Sequence, residues 1–232
     1  MFRIYSTRLM NFLHGKQGVH FLHIRKTGGT AVKDALKNHL RTRRYLINLH
    51  RHNVKLKDVP VGDKVFFFLR DPVSRFVSGF YSRQRRGQPR YSSPWSSGER
   101  IAFRQYQTAN ELASALSSEN PKQRQQAVQA MKSIAHVKSS YWDWFDSESY
   151  FRSRRSDIIL IGFQETLSAD FERLKMKLEL PQSVKLPTDE IKAHRNPPDL
   201  DTNLDEQAIK NLKSWYARDY AFIRLCKELG SL

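Results

Sequence analysis

Residues His20–Thr30 read HFLHIRKTGGT, and how this stretch is parsed decides the fold. Phe21, Leu22 and Ile24, with Val19 before them, are spaced as a short buried strand. The pattern breaks at Arg25-Lys26-Thr27-Gly28-Gly29-Thr30, after which AVKDALKNHLR carries Val32, Ala35, Leu36 and Leu40 at helical spacing. A strand that runs through a two-glycine loop into a helix delivers loop amides and the positive helix end to one point. Gly28 and Gly29 permit backbone angles, and the approach of an anion, that a side chain would block. Thr30 stands where a helix N-cap is wanted. The stretch therefore predicts an anion cradle, with a plain strand-to-helix turn as the alternative.

The chain around it agrees with an anionic partner. At 232 residues it is long enough for one sizeable core, and residues 1–232 are expected to form a single domain. A net charge of +17 exceeds what solubility needs and points to a nucleotide, an acidic glycan, nucleic acid or an acidic membrane face. The single cysteine, Cys226, excludes an intrachain disulfide and fits a reducing, cytoplasmic setting. The sequence contains no apolar run of signal-peptide or membrane-spanning length, so stable membrane insertion is not expected. Met1 followed by ordinary sequence reads as a complete product, although a lost membrane anchor of the Golgi type would leave no trace.

Further strands and helices follow in alternation. A second strand is expected at Tyr45–Leu49, ending in His50 and His52, which share a side if the backbone stays extended. Either imidazole suits a general base toward a hydroxyl; a metal pair and plain surface histidines are the alternatives. Lys64–Leu69 is a continuous apolar run suited to burial on both faces of a parallel sheet. It ends at Arg70. Asp71-Pro72 then opens a helix with Val73, Phe76, Val77 and Phe80 on its core stripe, and Arg75, Ser78 and Ser82 on another. Arg70 and Ser78 together can grip a phosphate monoester.

Residues 84–107 are rich in Arg, Ser, Pro and Gly and read as a long irregular segment. Its Arg85, Arg86, Arg90 and Arg100, interleaved with Tyr91 and Trp95, suit an acidic sugar, with the rings stacking on pyranose faces. Thr108/Glu111 and Asn120-Pro121 mark two helix starts. Tyr141–Phe145 reads as core aromatic packing. Ile158–Gly162 is a further strand, followed by a helix carrying Leu167, Phe171, Leu174 and Leu178, and Leu204 onward is helical again. These alternations predict a three-layer α/β/α fold with a mostly parallel central sheet and ligands outside the strands' carboxyl ends.

Two motifs carry a resemblance to a family. HIRKTGGT lacks the glycine that precedes Gly-Lys in the nucleoside-triphosphate loop. It resembles instead the 5′-phosphosulfate loop of sulfotransferases that use 3′-phosphoadenosine 5′-phosphosulfate (PAPS), where HxPKTGGT is usual and Arg25 here replaces the proline. RDPVSRFVSGFYS is similar to the family's 3′-phosphate motif, with Arg70 and Ser78 keeping its spacing. LHRHN resembles the HGH-type segment of the heparan sulfate 2-O-sulfotransferase group, with Arg51 in place of glycine. The resemblance covers about Val19 to Tyr220 and implies a P-loop-like, soluble bacterial-type member of the heparan sulfate 2-O-/6-O-sulfotransferase kind.

It further implies that PAPS is the donor and that no metal is needed. Arg25, Lys26, Thr27, Gly28, Gly29 and Thr30 would hold the 5′-phosphate end, and Arg70, Ser78 and, by position, Arg195 would hold the 3′-phosphate. Lys26 would act on the leaving group and His52 or His50 on a hydroxyl acceptor, an anionic or carbohydrate one. No nucleic-acid-binding signature occurs, so nucleic acid is not the expected partner. A basic polyanion- or nucleic-acid-binding protein and a nucleotide-dependent kinase are the competing readings. The acceptor hydroxyl, the choice between the two histidines and the oligomeric state are left open by the sequence.

Overall fold

A computed structural model describes residues 15–89, 91–188 and 200–230. The chain divides into two compact units: one of residues 1–70, 141–193 and 222–232, the other of residues 71–140 and 194–221.

The first unit is built on four parallel strands, β1 (Gln17–Leu22), β2 (Tyr45–Leu49), β3 (Lys64–Leu69) and β4 (Ile158–Phe163), in the order β2-β1-β3-β4. β3 is central and carries the double-sided burial expected of it. Val65, Phe67 and Leu69 point into one core and Phe66 and Phe68 into the other, all fully buried. Three phenylalanines removed from water here stabilise the unit by roughly 1.5–3 kcal/mol each.

Helix α1 (Gly29–Leu36) covers one face with Val32 and Leu36. Other short segments cover the opposite face, among them Tyr141, Trp144 and Phe145. This is the expected aromatic core role of Tyr141–Phe145. The result is a mostly parallel sheet with helices on both sides. Leu40, read from its spacing as part of the α1 stripe, lies past the helix end and is 39% exposed.

The second unit is helical. It contains α2 (Pro72–Gln84), α3 (Ser97–Gln105), α4 (Ala109–Ala115), α5 (Pro121–Ser133) and later α9 (Glu206–Trp215). Between them in sequence, the first unit contributes α6 (Trp142–Phe145), α7 (Glu148–Ser153) and α8 (Leu167–Leu178), and the chain passes from the second unit to the first within α10 (Ala217–Gly230). α8 packs Phe171, Leu174 and Leu178 onto the same face of the sheet as α1. α4 opens with the anticipated Thr108/Glu111 capping box and α5 with Asn120 capping and Pro121 at its first position.

α3 overturns the irregular reading of residues 84–107. Its N-terminus is a Ser96/Glu99 capping box, and Ala102 and Phe103 are buried. Composition hid it, because one turn of arginines and serines masks a short amphipathic period. No helix among the described residues is long and apolar enough to cross a membrane.

Glu99 also does a second job. Arg83, 4% exposed, forks onto it at 2.6 and 2.9 Å, while the Ser96 and Ala135 amides donate to it at 2.9 and 3.1 Å. Burial pushes this carboxyl up, but these donors outweigh burial and hold it down at about 2, from an ordinary 4.5. A depressed carboxyl pKa contributes stability that is complete above the unfolded value and is lost as pH falls through the folded one. The stability gap between wild type and Glu99→Gln, measured by urea melts, is therefore expected to be widest above pH 4.5 and to close toward pH 2; a gap independent of pH would contradict the assignment.

Candidate active site

The loop after β1 is folded by local bonds. The Ile24 amide donates to the Leu22 carbonyl at 3.1 Å, and the Thr27 hydroxyl donates to the Ile24 carbonyl at 3.1 Å. Lys26 and Gly28 both take left-handed backbone angles, with φ 66° and 81°; for lysine this conformation costs about 1–2 kcal/mol. Gly28 thereby becomes the N-cap of α1, its carbonyl accepting from Ala31 and Val32 at 3.1 and 3.4 Å.

Thr30 is therefore not the cap; the helix begins at Gly29, two residues earlier than a Thr30 cap would place it, because Gly28 can turn where threonine cannot. The Gly28, Gly29 and Thr30 amides donate to no carbonyl among the described residues. Three orphan donors at a helix N-terminus are what an oxyanion requires.

Gly29 has a steric reason that its sequence does not suggest. A Cβ there would lie 2.4 Å from Cδ2 and 2.7 Å from Nε2 of His23, so glycine makes room for that imidazole. At Gly28 both reasons apply, the positive φ and a 3.0 Å approach to Leu167.

Four histidines meet beside this loop. The parallel register sets His20 against Asn48 and Phe21 against Leu49, which carries the ends of β1 and β2 forward together. His20 Nδ1 and His50 Nε2 are 2.8 Å apart, and His20 Nε2 is 3.1 Å from Asp63 Oδ2. With the carboxylate accepting, His20 donates from Nε2 and accepts at Nδ1, so His50 donates from Nε2. His23 and His52 pack with ring centroids 3.9 Å apart, and His52 Nδ1 donates to the His23 carbonyl at 2.7 Å.

That bond fixes the neutral tautomer of His52 with its lone pair on Nε2. Trp144 Nε1 donates to the His52 carbonyl at 3.0 Å and Lys33 Nζ to that of His50 at 3.2 Å, so the segment is held from both sides. Of the two histidines left open by the sequence, His52 carries its lone pair on Nε2, while His50, donating from Nε2 to His20, carries its own on Nδ1.

The electrostatics have one sign. Burial, then the charges of Arg25, Lys33 and Lys26, hold His52 below the ordinary histidine value of 6.5, against the opposing pull of its bond to His23. Burial, then His20 and Lys33, lower His50 to about 4, and burial, then His52, Lys33 and Arg25, lower His23 to about 2. The imidazoles of His23, His50 and His52 are thus neutral near pH 7 and lie close to these cations. Arg25, where the resemblance expects proline, lies over the Trp144 ring at 6.0 Å.

His20, His23, Lys33, Asp63 and Trp144 were not singled out from sequence. The histidine pairs at 20/23 and 50/52 were the one available signal, since parallel strands of similar length bring their ends together. Asp63 and Trp144 arrive from distant segments and leave no local trace. Among the described residues no group of three or more His, Cys, Asp or Glu is placed to hold a metal ion.

The second motif divides into parts. Arg70 closes β3, its amide and carbonyl both bonded to the buried Tyr141 hydroxyl at 3.1 and 2.5 Å. Asp71 caps α2 by accepting from the Ser74 amide at 2.8 Å, and accepts from the Tyr220 hydroxyl at 2.7 Å. Ser78 lies in α2 and is 7% exposed. Arg75, on the polar stripe in the sequence, is instead buried against Asp219 at 2.8 Å. Arg195 and Arg90 lie outside the described residues.

Comparison with curated proteins returned no match. The model of the Sulfotransferase family matches residues 10–222, which takes in the whole of the loop, the histidine cluster and the Arg70–Ser78 motif. With nearly the entire length matched, the chain belongs to the sulfotransferase family.

Proposed function

We propose that this protein transfers a sulfuryl group from PAPS to a hydroxyl of an anionic carbohydrate, leaving adenosine 3′,5′-bisphosphate. The observation that carries the reading is the juxtaposition, at the ends of β1 and β2, of three orphan amides, a rim of cations and a neutral imidazole whose Nε2 is available. The donor supplies, when bound, an activated sulfuryl group whose departure leaves charge on a phosphate oxygen.

The amides of Gly28, Gly29 and Thr30 hold the 5′-phosphate. The Thr27 hydroxyl is committed to Ile24, so its contribution is through the backbone. Lys26 stabilises the charge that develops on the leaving oxygen, and His52 Nε2 accepts the proton of the attacking hydroxyl. In-line placement of donor and acceptor supplies much of the rest. Arg70 and Ser78, with Arg195 by motif position, hold the 3′-phosphate. The excess of positive charge favours an acidic acceptor, and the lone buried Cys226 suits a reducing compartment such as the cytoplasm.

A ligand that binds only the folded state raises the melting temperature. Adenosine 3′,5′-bisphosphate is expected to stabilise the protein more than ATP or duplex DNA. Largest stabilisation by ATP would favour a kinase, and by DNA a polyanion-binding protein. Wild type should prefer the bisphosphate over adenosine 5′-monophosphate by at least about tenfold, roughly 1.4 kcal/mol. Arg70→Ala and Ser78→Ala should each erase most of that preference; both retaining it would remove them from the 3′-phosphate site.

A further inference from the structure

We propose that the helical unit carries an oxyanion-binding subsite formed by Arg86, Arg100 and Arg104, and that it takes a sulfate or carboxylate group of an acidic polysaccharide. The three arginines border one cavity of about 430 Å³ together with Pro94 and Trp95, a volume suited to one or two sugar units. Arg100 and Arg104 are a turn apart on α3 and therefore neighbours on its surface, where like charges repel. None of the three forms an ion pair among the described residues. The acid on α3, Glu99, is buried beneath Arg83 and cannot neutralise them.

The scaffold beneath the cavity is built rather than loose. Arg83 reaches from α2 to the Ser93 and Pro94 carbonyls at 3.4 and 3.1 Å, and Trp95 Nε1 donates back to the Arg83 carbonyl at 2.7 Å. Trp95 packs on Phe103 with centroids 5.2 Å apart, and the Arg86 guanidinium lies 4.5 Å over the indole. Stacking on a ring orients a guanidinium while leaving its edge N–H groups to donate.

This revises the role expected of Trp95. With Arg86 over the ring, the indole serves to position a cation, not to stack on a pyranose. The same coverage disfavours nucleic acid, which binds such basic grooves by stacking bases on open aromatic faces. Sulfate and carboxylate need only the guanidinium edges. As the acceptor subsite of a transferase the inference rests on the reading above; as a binding site it stands by itself.

The test uses a heparin-derived hexasaccharide, neutral dextran and a single-stranded DNA of matched charge, titrated calorimetrically into the full chain. Arg100→Ala/Arg104→Ala is compared with Lys122→Ala/Lys132→Ala, which removes equal charge from exposed positions of α5. The arginine double variant is expected to raise the hexasaccharide Kd about tenfold or more, and the lysine variant less than about twofold. Dextran should not bind measurably, and DNA should bind more weakly than the hexasaccharide.

Equal losses in the two variants, unchanged affinity in the arginine variant, or DNA binding as tightly with the same loss would each overturn the subsite. The thermal shift by adenosine 3′,5′-bisphosphate separates the two readings. If wild type shows none, the transferase reading fails while the hexasaccharide result still decides the subsite; if both variants keep a normal shift, an unaltered hexasaccharide Kd condemns the subsite alone.

Discussion

His52→Ala is expected to lower kcat by roughly 10²–10⁴-fold while leaving donor affinity within about threefold. The base acts only on the acceptor proton, so its loss should appear in the chemical step. His50→Ala should cost less than about tenfold, because His50, tied through Nε2 to His20 and through its carbonyl to Lys33, serves to carry the segment. Lys26→Ala should damage both kcat and donor binding, since that charge would face the bound phosphosulfate before and during transfer.

The pH profile gives an independent check. A base must be unprotonated, so the rate falls as pH drops through its pKa. Burial, then the charges of Arg25, Lys33 and Lys26, depress that value from 6.5 in the free protein, and the acid limb of kcat/KM should lie below pH 6.5. A bound polyanionic donor offsets those cations, so the limb of kcat, which reports the complex, should lie at higher pH. Near wild-type kcat in His52→Ala would move the base elsewhere, and an acid limb retained in that variant would do the same.

The second large effect is on stability. Arg75 and Asp219, each 2% exposed at the side chain, meet at 2.8 Å; Arg75 also donates to the Ser139 carbonyl at 2.5 Å, and Asp219 accepts from Ser140 at 2.5 Å. Removing one charge of such a pair leaves the other buried and uncompensated, at a cost of about 3–5 kcal/mol. Arg75→Met or Asp219→Leu alone should therefore lower the urea midpoint sharply, a large fraction of the 5–15 kcal/mol typical of a folded domain.

The double variant should recover much of the loss, because two apolar groups of similar size leave no buried charge. Single variants costing under about 1 kcal/mol would mean that water reaches the pair. The α2 helix that bears Ser78 depends on Arg75 in this way, so donor binding should be measured only on variants that melt cooperatively.

Much of this was written locally. Val65–Leu69 are apolar without interruption, and only a strand buried on both faces can use such a run. Asp71-Pro72, Thr108/Glu111 and Asn120-Pro121 are caps whose bonds close within three or four residues, so they are legible without any tertiary partner. The strand-to-helix turn at Gly28-Gly29 belongs to the same class, since a strand, two glycines and a helix are one contiguous stretch.

What only the tertiary structure decided depends on groups brought together from far apart. Gly29 is glycine because the His23 ring occupies its Cβ position. His52 carries its lone pair on Nε2 and His50 on Nδ1 because one donates to a backbone carbonyl and the other to His20, a difference invisible in the spacing of two histidines. Arg75 reads as a polar-stripe residue until Asp219, distant in sequence, meets it in the core. The physical reason is common to all three: periodicity and capping are short-range and recorded in neighbouring residues, whereas tautomer, ion pairing and pKa are set by whatever the fold places within a few ångströms.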